Sequence, residues 1–278
     1  MPASTAAPSA AATAAPVDSQ PASATVRGLD GATLRGVTAF DGGVLAVGTD
    51  GDGAAAWTSR DGAVWEPVEV RDAGAAQSLE AVAFAGRGVT FGGDDLGKSP
   101  AWTSADGTSW RPVDDIAGIV GRVNAVVADG GRWVAAGDVV DDETGEASGG
   151  VVWTSDDATT WTVAGEVTLD EGTVTGVAVA GDTTVVVGFD VTGGRVWTST
   201  GGGDFEAADG ADFAGMTING VAAAGGGFVA LGRGPDLRAF VWTSSDGTAW
   251  TREELPADVV APNDEIHEIA TVDDRVLA

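Results

Sequence analysis

The 278-residue chain has no cysteine, no tyrosine and a single histidine, His267. Without thiols there are no disulfides and no thiolate chemistry. Zinc sites built from several His or Cys ligands are excluded. A Ser-His-Asp triad would have to run through His267. Basic residues are scarce: 14 Lys and Arg stand against 42 Asp and Glu, a formal net charge of −28. Such a field repels nucleic acid and anionic membrane surfaces; its simplest consequence is solubility, and it also favours cationic partners or metal ions. The chain lacks any run of about 18 apolar residues, so no membrane-spanning helix is expected. It also lacks a phosphate-binding Gly-rich loop leading into a helix.

Apolar residues make up 44% of the chain, enough for a buried core, and the 43 glycines suit many turns and little helix. Residues 1–21, rich in Ala, Pro, Ser and Thr, have neither a basic start nor a Leu-rich stretch. They read as a flexible tether rather than a signal peptide. Tethers of this kind often follow a removed export signal, so an extracellular or cell-surface location is the expectation. Residues 22–278 read as one folded domain.

That domain repeats. The first Trp of a recurring phrase falls at 57, 102, 153, 197 and 242, in steps of 45, 51, 44 and 45. Upstream of each lies an aliphatic residue, a polar one, a small one and then Val37, Val82, Val126, Val177 or Val221. Eleven residues beyond each Val comes Gly48, Gly93, Gly137, Gly188 or Gly232. Each unit therefore reads as four short strands divided by Gly-rich turns, in the first unit roughly 34–40, 43–48, 54–59 and 63–70. Four strands in about 45 residues is the period of a β-propeller blade. One blade cannot cover both of its faces, so blades must stack around an axis. The expected fold is an all-β propeller with blades at about 33–70, 78–115, 122–165, 173–208 and 217–254 and a partial sixth at 265–278. Because the sixth stops within its second strand, the chain reads as a six-bladed ring closing imperfectly or as a fragment of a larger, seven-bladed one.

The phrase itself, "WTSRDGAVW" at 57–65, reads as a hairpin between the third and fourth strands. A three-residue loop of Arg60, Asp61 and Gly62 would set Trp57 opposite Trp65 as a cross-strand pair. Asp61 and Ser59 would bond the backbone of their own turn. S-x-D-G-x-x-W resembles the Asp-box, or BNR, repeat of sialidase-like propellers. It is carried by Ser59, Asp61 and Trp65; Ser104, Asp106 and Trp110; Ser155, Asp157 and Trp161; and Ser244, Asp246 and Trp250. The fourth unit is degraded to Ser199, Gly201 and Phe205, and the variant is one residue shorter between Asp and Gly than the usual family pattern. The resemblance implies a propeller over roughly 33–278, in which the motif is structural and lies away from any active site. Sialidases of that kind use a tyrosine nucleophile, which this chain lacks.

Function is therefore sought on the opposite face, around the channel, where loops converge. Two residues before each landmark Val, and at the matching place in the sixth unit, stand Arg35, Glu80, Asn124, Thr175, Asn219 and His267. All are polar and each opens an innermost strand, so they are expected to ring the channel mouth. A solvent-filled mouth favours polar residues in any case; the variety of the ring is what points to ligand recognition. Acidic loops on the same face offer calcium ligands at Asp50, Asp52, Asp138, Asp141 and Asp142, with Asp94, Asp95, Asp190, Glu143 and Glu146 in equivalent or adjoining loops. Solvated acidic loops explain these too. The sequence thus reads as a non-catalytic, cofactor-free, monomeric binding or scaffolding propeller with a protein or glycan partner, a cationic one being favoured by its charge. The alternatives are a glycan hydrolase using a carboxylate pair such as Glu80 and Glu268, and a calcium-stabilised structural domain.

Overall fold

A computed structural model of the chain describes residues 26–74, 78–93, 99–113, 116–140, 147–208, 213–255, 269–272 and 275–277. It is an all-β propeller. Blade 1 comprises β1 (Thr33–Phe40), β2 (Gly43–Thr49), β3 (Ala54–Ser59) and β4 (Glu66–Val70). Blade 2 comprises β5 (Ser78–Phe84), β6 (Gly88–Gly93), β7 (Ala101–Ser104) and β8 (Ser109–Pro112). Blade 3 comprises β9 (Arg122–Asp129), β10 (Arg132–Val140), β11 (Ala147–Ser155) and β12 (Thr162–Val167). Blade 4 comprises β13 (Thr173–Ala180), β14 (Thr183–Asp190), β15 (Gly193–Thr200) and β16 (Glu206–Ala207), and blade 5 β17 (Thr217–Ala224), β18 (Gly227–Arg233), β19 (Ala239–Ser244) and β20 (Thr251–Glu254). A hairpin of β21 (Ala270–Val272) and β22 (Arg275–Leu277) takes the sixth position. Innermost strands β1, β5, β9, β13, β17 and β21 contact one another in turn, and β21 returns to β1. The tether at 1–21 lies outside the described residues.

Each blade is an antiparallel meander whose innermost strand carries one register slip. Pairing jumps from Leu34 to Gly36, Leu79 to Ala81, Val123 to Ala125, Val174 to Gly176 and Ile218 to Gly220. The skipped residues are Arg35, Glu80, Asn124, Thr175 and Asn219. Each of these five ring positions is thus the extra residue of a β-bulge, the device by which a strand re-aims one side chain. The landmark glycines face these bulges. A Cβ on Gly48, Gly92, Gly137, Gly188 or Gly232 would come within 1.9, 2.6, 1.8, 2.3 or 2.0 Å of the carbonyl oxygen of Thr33, Ser78, Arg122, Thr173 or Thr217. In blade 2 the glycine is Gly92, not Gly93, because Val82 pairs with Thr90 and the hairpin spans one residue fewer between partners. The small residue after each bulge has its own cause: a Cβ on Gly176 would lie 3.2 Å from the Cα of Gly220 in the next inner strand.

The core lies between blades. Leu45 and Val47 of blade 1 cluster with Trp102 and Trp110 of blade 2. Phe91 of blade 2 meets Trp161 of blade 3 edge-on at 5.4 Å, and Trp153 joins the same cluster. Val134 and Val152 of blade 3 pack with Trp197 of blade 4, and Val185 and Val187 of blade 4 with Trp242 of blade 5. In each case a blade lays its indoles on the preceding blade.

The recurring phrase is not the tight hairpin expected from the sequence. Trp57 pairs with Pro67 and Thr58 with Glu66, so Trp65 lies in the loop rather than opposite Trp57. The loop closes on itself instead. Ser59 Oγ accepts the Gly62 N–H at 2.9 Å and donates to Asp61 Oδ1 at 3.2 Å. Asp61 Oδ1 accepts the N–H groups of Ala63 and Val64 at 2.9 and 3.0 Å, and Trp65 Nε1 donates to the Gly62 carbonyl at 3.0 Å. The Ser and Asp bonds recur in blades 2, 3 and 5. Folding the second Trp into the loop lets the loop reach backwards. A Cβ on Gly107 would strike the Phe40 ring of blade 1 at 2.8 Å, Arg87 of blade 2 donates to the Asp157 carbonyl at 3.3 Å, and Thr198 of blade 4 donates to the Gly247 carbonyl at 2.5 Å. Chain from before each of the first three blades also runs parallel to its loop, through Arg27 beside Val64, Glu69 beside Ser109 and Ala117 beside Thr160.

Candidate functional site

Four of the six ring residues, Glu80, Asn124, Thr175 and Asn219, line a central cavity of about 270 Å³, and Arg35 pairs with Glu80 beside it. His267, and Glu268 beside it, lie outside the described residues. The ring splits into two kinds of side chain. Asn124 and Thr175 are tied to the next blade: Asn124 Nδ2 donates to the Val174 carbonyl at 2.8 Å, and Thr175 Oγ1 to the Ile218 carbonyl at 2.7 Å. These are equivalent carbonyls, each immediately before the next bulge. The bulge residue of one blade satisfies an acceptor at the bulge of its neighbour. Glu80 cannot donate such a bond. It instead takes the Ser78 hydroxyl on Oε1 and the Arg35 guanidinium on Oε2 at 3.3 Å. Arg35 is 48% exposed and Glu80 24% exposed in their side chains, so this pair faces solvent and adds little to stability.

A second tier stands behind the bulges, formed by the residue that follows each landmark glycine: Thr49, Gly93, Asp138, Phe189 and Arg233. They pair across the first hairpin with Thr33, Ser78, Arg122, Thr173 and Thr217. This tier is absent from the sequence reading. Its signal is a constant glycine followed by a residue whose chemistry changes in every blade, and the one-residue slip in blade 2 hides the alignment. Asp138 is 4% exposed and fully engaged. Its Oδ1 accepts the Val174 N–H at 2.8 Å, and its Oδ2 accepts Asn124 Nδ2 and Thr173 Oγ1, both at 2.8 Å. The calcium candidate Asp138 is therefore a clasp between blades 3 and 4. Asp50 Oδ1 accepts the Asp52 N–H at 3.0 Å in an exposed turn. Asp94, Asp95, Asp141, Asp142, Glu143 and Glu146 lie outside the described residues. Among the described residues no group of three or more His, Cys, Asp or Glu side chains is arranged to hold a metal, and none forms a helix long and apolar enough to cross a membrane.

The carboxylates of the phrase residues bond within their own turns. The N–H groups of Val64 and Ala63 hold the Asp61 carboxyl below its ordinary range, as Thr108 does for Asp106 and Ala249 and Thr248 do for Asp246. Thr160 and Thr159 lower Asp157 furthest. On the mouth face, burial pushes Asp190 up, but the Thr192 hydroxyl and Arg195, 2.6 Å away, outweigh it and leave the carboxyl lowered.

No family model matches the chain, and neither does any curated protein sequence. Solved structures do match. Trypanosoma rangeli sialidase in complex with the inhibitor DANA superposes with a TM-score of 0.58 at 13% identity, covering 88% of this chain and 52% of that one. Penicillium chrysogenum α-L-arabinanase complexed with arabinobiose gives 0.55 at 14% identity, covering 84% and 82%. The WD40 β-propeller domain of Doa1 gives 0.50 at 15%, covering 84% and 86%. The chain shares the β-propeller fold with sialidase, arabinanase and WD40 proteins, and at these identities what is shared is the fold.

Proposed function

We propose that this propeller is a binding and scaffolding module whose ligand face is the channel mouth, with Arg35, Glu80, Asn124, Thr175, Asn219 and His267 as the ring around it. The observation that carries this reading is the bulge. Five blades each break their register at the same place, and the extra residue is polar every time and of four kinds, Arg, Glu, Asn and Thr, while the frame around it repeats. A frame that repeats and a residue that varies fit recognition better than packing. The exposed Arg35–Glu80 pair supplies both signs of charge to a partner. We place the partner among proteins and glycans outside the cell, and not among nucleic acids, which a chain of net charge −28 repels.

The second reading is a carboxylate-dependent glycan hydrolase using Glu80 with Glu268. Its support is the fold shared with sialidase and arabinanase. Hydrolysis needs two carboxyl groups flanking one bond, and Glu80 is the ring's carboxylate among the described residues. A glycan array run beside a hydrolysis screen decides between the two. The binding reading expects capture without turnover, and capture lost when the six ring residues are replaced by Ala. Turnover abolished by Glu80→Gln establishes the hydrolase instead.

A further inference from the structure

The axial cavity of about 270 Å³ is longer than the mouth alone requires. Its lining runs from Glu80 and Asn124 at the bulges to Phe84 and Asp129 at the far ends of β5 and β9, so it is a tunnel along the inner strands. Asn124 and Asp129 are five residues apart on one strand, about 17 Å. Among the described residues the lining holds two ionisable side chains, Glu80 near one end and Asp129 at the other, and no Lys, Arg or His. Both retain capacity to accept. Asp129 is exposed and pairs with no cation among the described residues. Glu80 holds the Ser78 hydroxyl on one oxygen and Arg35 on the other, which leaves lone pairs on both. Asn124 spends its Nδ2 on Asp138 and the Val174 carbonyl, so its Oδ1 is left to accept. The walls add neutral acceptors. Strands β1, β5, β9, β13 and β17 each stand at the end of their blade's sheet, so their axial edges have no strand partner. Such an edge presents carbonyl and N–H groups in alternation. The carbonyls suit a cation and the N–H groups an anion, and the two carboxylates decide the sign.

We infer that this tunnel binds a linear aliphatic polyamine lying along the propeller axis. One terminal ammonium meets Glu80 and Asn124, the other meets Asp129, and an interior ammonium bonds carbonyls of the inner edges. A compact ion of the same charge cannot touch both ends at once. The inference goes beyond a protein or glycan held at the mouth; it shares Glu80 and Asn124 with that reading and otherwise stands on the tunnel.

The full chain is titrated calorimetrically with spermidine, with the shorter diamine putrescine, and with hexaamminecobalt(III), a round ion of spermidine's charge. The buffer holds about 0.15 M NaCl, where attraction between exposed charges is screened beyond about 8 Å. Spermidine is expected to bind one site at least about tenfold more tightly than either of the others, since each of those loses a hydrogen bond between charged groups. Asp129→Asn and Glu80→Gln should each weaken spermidine by about tenfold or more. Glu66→Gln, the same charge change on outer strand β4, leaves it unchanged. Arg35→Gln removes the cation that competes for Glu80 and should tighten spermidine more than hexaamminecobalt(III). Asp129 is exposed, so Asp129→Asn keeps the fold and tests the far end by itself. Spermidine bound no more tightly than hexaamminecobalt(III), a stoichiometry above one, or an affinity that survives Asp129→Asn overturns the inference. A partner captured at the mouth by a protein that binds no spermidine sinks this inference alone. Spermidine bound in the tunnel, with partner capture surviving loss of the ring, sinks the other reading and leaves this one standing.

Discussion

At the scale of single residues, the Ser and Asp of the repeated phrase bond within their own turn. Asp157 illustrates it. Its Oδ1 accepts the N–H groups of Thr159 and Thr160 at 2.8 and 2.6 Å, bonds that favour the charged carboxylate and lower its titration point. Stability from a lowered carboxyl is complete above the unfolded value near 4 and is lost as pH falls toward the folded one. Denaturant midpoints of the parent and of Asp157→Asn should therefore differ by a constant amount from pH 7 down to about 4 and converge below it. A gap unchanged down to pH 2 would show that the carboxylate's charge contributes nothing. The Ser-Asp pairing was legible in the sequence, because such side chains close turns over short spans. The position of the second Trp was not: Trp65 Nε1 bonds the Gly62 carbonyl of its own loop, and strand pairing starts only at Glu66.

At the scale of elements, the bulge and its glycine act as one unit. The sequence displays the polar residue and the glycine as separate landmarks about a dozen positions apart, and only strand pairing shows that they face each other. Gly137 is the sharpest case, since a Cβ there would sit 1.8 Å from the Arg122 carbonyl oxygen. Gly137→Ala should destabilise the protein by about 1–3 kcal/mol, as overpacking does in a filled interior. Equilibrium unfolding in urea measures it, and an effect below 0.5 kcal/mol, the level of ordinary surface changes, would contradict the pairing. The same register explains why Asn124 and Thr175 are only partly available to a ligand. Each caps a carbonyl at the neighbouring bulge, a role no single strand reveals. Glu80, an acceptor, cannot cap a carbonyl and pairs with Arg35 instead.

At the scale of the molecule, six inner strands surround one axis, and the apolar surface is buried between blades rather than within any one of them. Charge is the opposing force. A net −28 spread over one small ring repels itself. Screening shortens from about 10 Å at 0.1 M monovalent salt to about 3 Å at 1 M. Raising NaCl across that interval should raise Tm in a scanning calorimeter, and adding EDTA at constant ionic strength should leave it where it was. A fall in Tm with EDTA would restore the calcium reading for the acidic loops.

The sequence alone determined the architecture, because a blade's strands, turns and inter-blade apolar faces are all written within each repeat of about 45 residues. It displayed a polar residue at the same place in every unit as well. The tertiary structure decided what those side chains do. Whether Asn124 faces a ligand or a carbonyl, whether Asp138 holds a cation or clasps two strands, and whether Glu80 and Asp129 line one tunnel all depend on where a neighbouring blade lies. That distance is set by packing across the blade interface, and no repeat encodes it by itself.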